Sequence, residues 1–161
     1  MKILKISLIL LLTLNVQAAE MVLPATKTGR STSLAINNNG DWIVASQLGA
    51  FLNGEQVLKN RFVGDSVVTR INEKGDWFVA SLFGAFLNGK QVLNTNQVGN
   101  FVGAHLNENG DWIVSSLRGA YLNGKLILTN QQIGAFSDAW VNDNGDWVVS
   151  SAKGVYKGTI D

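Results

Sequence analysis

Four carboxylates recur at one position of a repeated sequence, and they are the first residues to consider for chemistry. Asp41, Asp76, Asp111 and Asp146 each precede a tryptophan and lie 35 residues apart. A ring of four carboxylates could bind Ca²⁺, which takes about 6–8 oxygen ligands, or supply the carboxylate pair of a glycosidase. Each turn offers only one certain carboxylate, and a group that recurs in every repeat suits a structural role better than one active site. We expect these Asp residues to accept hydrogen bonds from turn N–H groups, and we predict no metal ion and no cofactor.

Catalysis by other residues finds little support in the sequence. His105 is the only histidine, which excludes a multi-His metal site and a repeated Ser-His pair. It shares its repeat position with Arg70 and Trp140 on the strand expected nearest to the axis, and we interpret these three residues as axis-lining candidates. The serines four residues after each repeated Trp are interpreted as satisfied polar groups: Ser46, Ser81, Ser116 and Ser151. We predict that the protein is not an enzyme and assign no catalytic residue; a hydrolase is the distant alternative.

The elements that carry these residues are defined by a repeat. Residues 36–46 return at 71–81, 106–116 and 141–151 without insertion or deletion, which is the signature of a repeat architecture. Each repeat is predicted to form four short strands, A to D, which in the second repeat span 67–72, 76–81, 85–87 and 91–93. Asn-Gly pairs between strands C and D predict two-residue hairpins, because Asn and Gly tolerate a positive φ. Strand B carries apolar or small residues on both faces, so we expect both faces to be buried, with its Trp packed between neighbouring sheets.

The two ends of the chain indicate how the repeats are closed. The last repeat lacks strand D, whereas residues 21–23 align with residues 56–58 of the first full repeat and continue without a gap. A ring leaves no unpaired sheet at either end. The sequence therefore predicts an all-β fold, a four-bladed β-propeller of 35-residue, four-stranded blades, closed by the N-terminal strand completing the last blade. Two chains that exchange strands into a larger ring are the alternative. The single domain spans 20–161, with repeat cores at 36–70, 71–105, 106–140 and 141–161 plus 21–35.

The N-terminal segment and the charges predict where the protein acts. In residues 1–19, Lys2 and Lys5 precede an apolar run over 6–14, and small residues follow. This pattern indicates a secretory signal peptide, because the run is shorter than the ~20 residues that span a bilayer. We predict export to the periplasm or the exterior and no membrane span in the mature form. The chain has 13 basic and 12 acidic residues, scattered among the repeats, so we predict no nucleic-acid partner.

The positions at which the repeats differ indicate a binding surface. In a four-stranded blade, the A–B and C–D hairpins lie at one end, and the B–C turns and D–A crossings lie at the other. The second end varies and mixes Phe, Leu, Arg and Gln, as partner-binding surfaces do; drift of an unconstrained surface explains the variation equally well. The candidates are Gln47, Leu48, Arg61, Phe62, Leu82, Phe83, Gln97, Leu117, Arg118, Gln132 and Lys153.

The repeat also resembles a known family. Residues 36–46, followed by Ala-Phe-Leu-x-Gly-x-x-x-Leu at 50–58, resemble the extracellular HAF repeats of exported bacterial proteins. The His of that repeat is absent, since Leu48, Phe83, Arg118 and Lys153 occupy its place. The resemblance implies export and a propeller-like β-rich repeat, and it supplies no catalytic residue. We predict an exported binding module for a protein or carbohydrate ligand, either a monomer or a strand-swapped oligomer; the alternative is a structural subunit that assembles into oligomers.

Overall fold

The computed structural model describes residues 19–30, 32–100 and 102–160, which form four antiparallel sheets. The signal peptide predicted at 1–19 lies outside these residues except for Ala19. Sheet 1 contains β1 (Ser33–Ile36), β2 (Trp42–Ser46), β3 (Gly49–Leu52) and β4 (Glu55–Lys59). Sheet 2 contains β5 (Val68–Ile71), β6 (Trp77–Ser81), β7 (Gly84–Leu87) and β8 (Lys90–Leu93). Sheet 3 contains β9 (Gly103–Leu106), β10 (Trp112–Ser116), β11 (Gly119–Leu122) and β12 (Lys125–Thr129). Sheet 4 contains β13 (Asp138–Val141), β14 (Asp146–Ser151) and β15 (Gly154–Thr159).

Neighbouring strands within each sheet follow one another in the chain, so every connection is a hairpin. The predicted Asn-Gly hairpins form between the third and fourth strands. Asn53 and Gly54 have φ angles of 49° and 89°, which Asn and Gly adopt with less strain than other residues. Three short helices connect or precede the sheets: α1 (Ala25–Thr28), a 3₁₀ turn at Asn60–Phe62 and α2 (Asn130–Ile133). The all-β repeat architecture predicted from the sequence is therefore confirmed.

The core consists of three layers between successive sheets. We call the face of each sheet that carries the repeated Trp its leading face, and the opposite face its trailing face. The trailing face of sheet 1, with Ile43 and Ala45, packs on the leading face of sheet 2, with Trp77 and Val79. Sheets 2 and 3 pack in the same way, and so do sheets 3 and 4. The interior sheets are thus buried on both faces, as the composition of strand B predicts.

The repeated Trp residues lie in these layers. Trp77 and Trp112 are 7% and 6% exposed, and the Trp112 ring stacks on Phe78 of the preceding sheet with centroids 5.3 Å apart. Trp42 and Trp147 are half-buried. Large aromatic side chains contribute strongly to core stability, so the predicted packing role is confirmed at the two interior positions.

The ends of the chain differ from the prediction. Residues 21–24 form no strand, and sheet 4 has three strands in the described part of the chain. Leu34 on the leading face of sheet 1 is 68% exposed, and Trp140 on the trailing face of sheet 4 is 57% exposed. The two terminal faces are therefore not packed on each other. The structure shows a row of stacked sheets, and the predicted closed ring is not seen.

Within the described residues, the structure contains no helix that is long and apolar enough to cross a bilayer.

Candidate binding surface

The B–C turns and the D–A crossings share one end of the stack, as the sequence predicts. The backbone N–H of Leu82 donates to the carbonyl oxygen of Asp65 at 3.2 Å, and that of Leu117 donates to Asn100 at 3.2 Å. These bonds, with that from Ala152 to Ala135 at 3.2 Å, join the B–C turns of sheets 2, 3 and 4 to the crossing that precedes each sheet. We call this end the loop end, and the end with the A–B and C–D hairpins the hairpin end.

A row of four side chains occupies equivalent positions at the loop end: Leu48, Phe83, Arg118 and Lys153. Each lies over a glycine of the preceding crossing. A Cβ built on Gly64 would lie 3.1 Å from the Phe83 ring, and one on Gly99 would lie 3.1 Å from Cγ of Arg118. Leu48 and Phe83 are 39% and 40% exposed, and the two cations are exposed. The row therefore changes from apolar over sheets 1 and 2 to cationic over sheets 3 and 4.

Serine side chains hold the backbone of this row in place. The hydroxyl oxygens of Ser46, Ser81, Ser116 and Ser151 accept hydrogen bonds from the N–H groups of the four row residues, over 3.1–3.3 Å. Ser46, Ser81 and Ser116 are buried. Such a bond satisfies a buried hydroxyl and fixes a turn. These serines are satisfied polar groups, as predicted, and they hold the row residues at defined positions.

Three candidate residues lie in the B–C turn of sheet 1 or in the crossing from sheet 1 to sheet 2, and each has a local partner. The side-chain amide of Gln47 donates to the carboxylate of Asp65. The Arg61 guanidinium carbon lies 4.7 Å from the centroid of the Phe62 ring, which is within cation–π range. Phe62 itself is half-buried and meets Phe86 edge-on at 5.7 Å. Phe62 thus belongs partly to the core, and Arg61 covers its exposed side.

Among the remaining candidates, the two glutamines stabilise turns, and the other side chains differ in how far they are exposed. The side-chain oxygens of Gln97 and Gln132 accept hydrogen bonds from backbone N–H groups three residues earlier, at 3.1 and 2.9 Å, so both hold their own turns. Leu82 is half-buried, whereas Leu117 is exposed. Lys153 extends over α2, where its ammonium group donates to the carbonyl oxygen of Gln131.

Charge is divided unequally between the two ends, and this is the feature that sequence reasoning missed. In the described ranges, the loop end carries six basic residues and two acidic ones: Lys27, Arg30, Lys59, Arg61, Arg118 and Lys153 against Asp65 and Asp138. The hairpin end carries eight acidic residues and three basic ones: Asp41, Glu55, Glu73, Asp76, Glu108, Asp111, Asp143 and Asp146 against Lys74, Lys90 and Lys125. A near-neutral chain therefore has a basic end and an acidic end. The signal was present in the sequence as the repeat position of each charge.

The repeated carboxylates of the hairpin end have a structural role, with partners other than the expected ones. The side-chain amide of Asn53 donates to Oδ1 of Asp41 at 2.9 Å, and the Asp41 N–H donates to the side-chain oxygen of Asn37. The equivalent contacts recur around Asp76 and Asp111. The carboxylates thus accept from side-chain amides instead of turn N–H groups. The described part of the chain holds no cluster of three or more His, Cys, Asp or Glu residues suited to a metal ion.

A ladder of asparagines joins the sheets at the hairpin end. The Asn37 side-chain amide donates to the carbonyl oxygen of Asn72 in the next sheet at 3.0 Å. Asn72 donates in turn to Asn107 at 3.2 Å, and Asn107 donates to Asn142 at 2.8 Å. These asparagines are buried in sheets 1 to 3. The ladder fixes successive sheets relative to one another, and so fixes the spacing of the row residues at the opposite end.

The three axis-lining candidates come together on neighbouring first strands. The His105 ring stacks on Trp140 with centroids 3.5 Å apart, and both line a groove of about 340 Å³ with Arg70. Burial, and then the positive charge of Arg70, lower the pKa of His105, while Asp143 and Asp138 oppose this shift. Burial also lowers the pKa of Arg70. His105 Nδ1 is buried without a hydrogen-bond partner among the described atoms.

No protein-family model matches the chain, and no curated protein matches its sequence. The fold and the surface together define an all-β repeat protein, a stack of hairpin-built sheets with one basic, sequence-variable end.

Proposed function

We propose that the protein is an exported, non-enzymatic binding module. Its basic loop end binds an acidic segment of a protein partner. One observation carries the proposal: the side chains that vary among the repeats and six of the basic residues lie together at this end. The turns beneath them are fixed by hydrogen bonds to Ser46, Ser81 and Ser116. A rigid scaffold with variable exposed side chains is the usual arrangement of a binding surface.

The chemistry of the row residues favours a protein ligand over a carbohydrate. Phe83 offers an exposed aromatic ring and Arg118 an exposed guanidinium, the two residue types that dominate protein-binding hot spots. The repeated Trp77 and Trp112 offer no platform for sugar stacking, because both are buried between sheets. The excess of basic over acidic residues at the loop end attracts an acidic partner and repels a basic one.

Two sequence features support a site of action outside the cytoplasm. The N-terminal segment has the pattern of a signal peptide, and the repeat resembles the HAF repeats of exported bacterial proteins. The absence of cysteine leaves the fold independent of the redox state of the compartment. The proposed binding module has the fold of stacked sheets and not that of a closed ring.

The test is binding of defined peptides by fluorescence anisotropy. A labelled peptide of alternating Glu and Leu should bind, and binding should weaken as salt rises from about 50 mM to about 200 mM, because salt screens exposed charges. The matching peptide of alternating Lys and Leu should not bind at the loop end. The double reversal Arg118→Glu with Lys153→Glu should abolish binding of the Glu peptide, and Phe83→Ser should weaken it by at least tenfold.

The matched control reverses two charges at the other end. Lys90→Glu with Lys125→Glu changes the net charge by the same amount but lies at the hairpin end, so it should leave the affinity within about twofold of the original. If the control variant loses binding to the same extent as the loop-end variant, the net charge of the protein and not the loop end determines binding, and the proposal is wrong. Binding of an acidic glycan with no binding of the Glu peptide would also overturn it.

A further inference from the structure

Strand β15 of sheet 4 has one unpaired edge in the described part of the chain. In sheets 1 to 3 the third strand pairs with a fourth strand, as Ala50 pairs with Leu58 and Leu52 pairs with Glu55 in sheet 1. β15 pairs with β14 alone. An unpaired edge presents a row of backbone N–H and C=O groups, to which an extended segment can add as a further strand.

The backbone of β15 leaves room for such a strand. Gly49, Gly84 and Gly119 begin the third strands of sheets 1 to 3 with φ angles of 127°, 130° and 133°. A Cβ built on any of them would lie too close to the carbonyl oxygen of a leucine in the fourth strand. Gly154 begins β15 with a φ of 134°, but no atom of the described chain lies within 4 Å of a Cβ built there. The place of the leucine carbonyl is therefore open beside β15.

The segment before sheet 1 has the structure of a crossing that follows a fourth strand. α1 (Ala25–Thr28) matches α2 (Asn130–Ile133) residue for residue, three repeats apart. The glycines that follow, Gly29 and Gly134, have φ angles of 59° and 71°, and each donates its N–H to the carbonyl oxygen four residues earlier, at 3.0 and 3.2 Å. α2 directly follows the fourth strand of sheet 3, β12. Residues 20–24 therefore hold the position of a fourth strand, although they form no strand in the structure.

Residues 20–23 also have a sequence that fits the edge of β15. Leu23 holds the repeat position of a leucine that is buried in each of the three fourth strands: Leu58, Leu93 and Leu128. Glu20 holds the position of Glu55, which lies opposite Leu52 in sheet 1. In sheet 4 the position of Leu52 is occupied by Lys157, so that Glu20 in the fourth strand would lie opposite Lys157. Both side chains are exposed in the structure, and opposite charges at facing positions stabilise an antiparallel pair of strands.

We propose that residues 20–23 of one copy of the chain add a fourth strand to β15 of a second copy. Within one copy these residues line a groove of about 460 Å³ with Trp42 and Val44 of sheet 1, and sheets 2 and 3 lie between sheet 1 and sheet 4. The added strand therefore comes from another chain. The register of the interior sheets sets Leu23 opposite Val155. Two copies joined in this way are related as successive sheets of one chain are, which is a heterologous contact.

The strand exchange is independent of the proposed ligand site, because it uses none of the row residues at the loop end. Its test is a mass measurement, whereas the test of the binding module is peptide affinity. Association of two copies follows mass action, so the copies separate on dilution. The stability of one copy is therefore measured at a dilution at which sedimentation gives the mass of a single chain.

The experiment is sedimentation equilibrium on the expressed full chain, with mass spectrometry to establish that the purified protein retains Glu20. The average mass of the unchanged protein should rise above that of one chain as its concentration increases. Glu20→Lys and Lys157→Glu should each weaken association by about fivefold or more, because like charges then face each other, and the double variant should restore it. Glu55→Lys is the matched control: it makes the same charge change at the same repeat position, but Glu55 pairs within its own chain, so association should not change.

Disulfide formation separates exchange between copies from closure within one copy. The chain has no cysteine, so Leu23→Cys and Val155→Cys each introduce a single thiol, and facing residues of an antiparallel pair are close enough for a disulfide. Mild oxidation of the mixed variants should link one chain of each kind, and neither variant alone should be linked. The proposal is overturned if the unchanged protein has the mass of one chain up to about 1 mM, if the double charge variant does not restore association, or if the two thiols are linked only when one chain carries both.

Discussion

Replacing one rung of the asparagine ladder measures the bond that joins two sheets. The Asn72 side-chain oxygen accepts from the N–H groups of Asp76 and Lys74 at 2.8 and 3.1 Å. Its amide donates across the sheet boundary to the carbonyl oxygen of Asn107 at 3.2 Å. Asn72→Ala removes these three bonds and the bond from the Asn72 amide to Oδ2 of Asp76 at 3.5 Å, which Asn142 also makes to Asp146. The perturbation therefore combines a loss within the turn with a loss between sheets.

Asn142→Ala provides the reference, because Asn142 makes the turn bonds alone. Its side-chain oxygen accepts from Asp146 and Asn144 at 2.8 and 3.0 Å. No sheet follows sheet 4 in the described chain, and Asn142 is exposed. The turn losses of the two variants nearly cancel in the difference. What remains is one buried inter-sheet hydrogen bond, since the Asn107 carbonyl oxygen keeps the bond that it accepts from the Gly110 N–H at 3.2 Å.

We expect Asn72→Ala to lower the free energy of unfolding by about 0.5–1.5 kcal/mol more than Asn142→Ala, since that is the net contribution of one intramolecular hydrogen bond. For a domain of this size, 1 kcal/mol corresponds to a change in Tm of about 4 °C. The assay is urea denaturation followed by circular dichroism, with equal m-values required for the comparison.

Equal losses in the two variants would contradict this prediction. In a closed ring, Asn142 would donate to the carbonyl oxygen of Asn37 in sheet 1, and the two positions would be equivalent. Asn37→Ala serves as a further control, because Asn37 makes an inter-sheet bond and should group with Asn72. A loss at Asn37 as small as that at Asn142 would show that the ladder bond contributes little.

Two further predictions test the packing and the titration of single residues. Gly84→Ala should destabilise the protein by at least about 1 kcal/mol more than Gly154→Ala. Both glycines have a left-handed φ (130° and 134°), so this strain is common to the two variants. Only a Cβ on Gly84 would meet a backbone oxygen, that of Leu93. Equal losses in urea denaturation would place a fourth strand beside β15. Burial lowers the pKa of His105 below its ordinary value, so the unfolded chain binds more protons between the two values, and stability falls as pH falls through that window. Between about pH 7 and about pH 5 the unchanged protein should therefore lose more stability than His105→Gln, and an equal loss in both would contradict the assignment.

Local structure was largely predictable because the Asn and Gly residues that favour each hairpin turn are present within each repeat. The strands predicted at 67–72 and 76–81 became Val68–Ile71 and Trp77–Ser81, within two residues at each end. Period-two burial and positive-φ turns are local properties, so four copies of the same signal reinforce one another. The register of the Trp and of the serine turns follows from the same spacing.

Closure and charge were not predictable in the same way. Alignment of residues 21–23 with 56–58 shows that a fourth strand could form, but pairing depends on whether sheets 1 and 4 meet. In the structure these two sheets do not meet, since Leu34 and Trp140 on their outer faces are 68% and 57% exposed. The basic loop end was missed because the charges were counted along the chain and not by their repeat position. Phe62 and Gln97 show a further limit of prediction from variable positions. Both positions vary among the repeats, yet Phe62 packs on Phe86, and Gln97 accepts a hydrogen bond from Asn94 in its own crossing.

The interchangeable layers have a consequence for how the gene can change. Every trailing face in the interior fits every leading face that follows it, and the asparagine ladder repeats with a separation of 35 residues. Recombination between any two equivalent points, such as those before Ile71 and before Leu106, deletes or duplicates one whole sheet and joins two faces that are already compatible. The length of the stack is therefore open to change in single steps, while the first and last sheets stay at the ends.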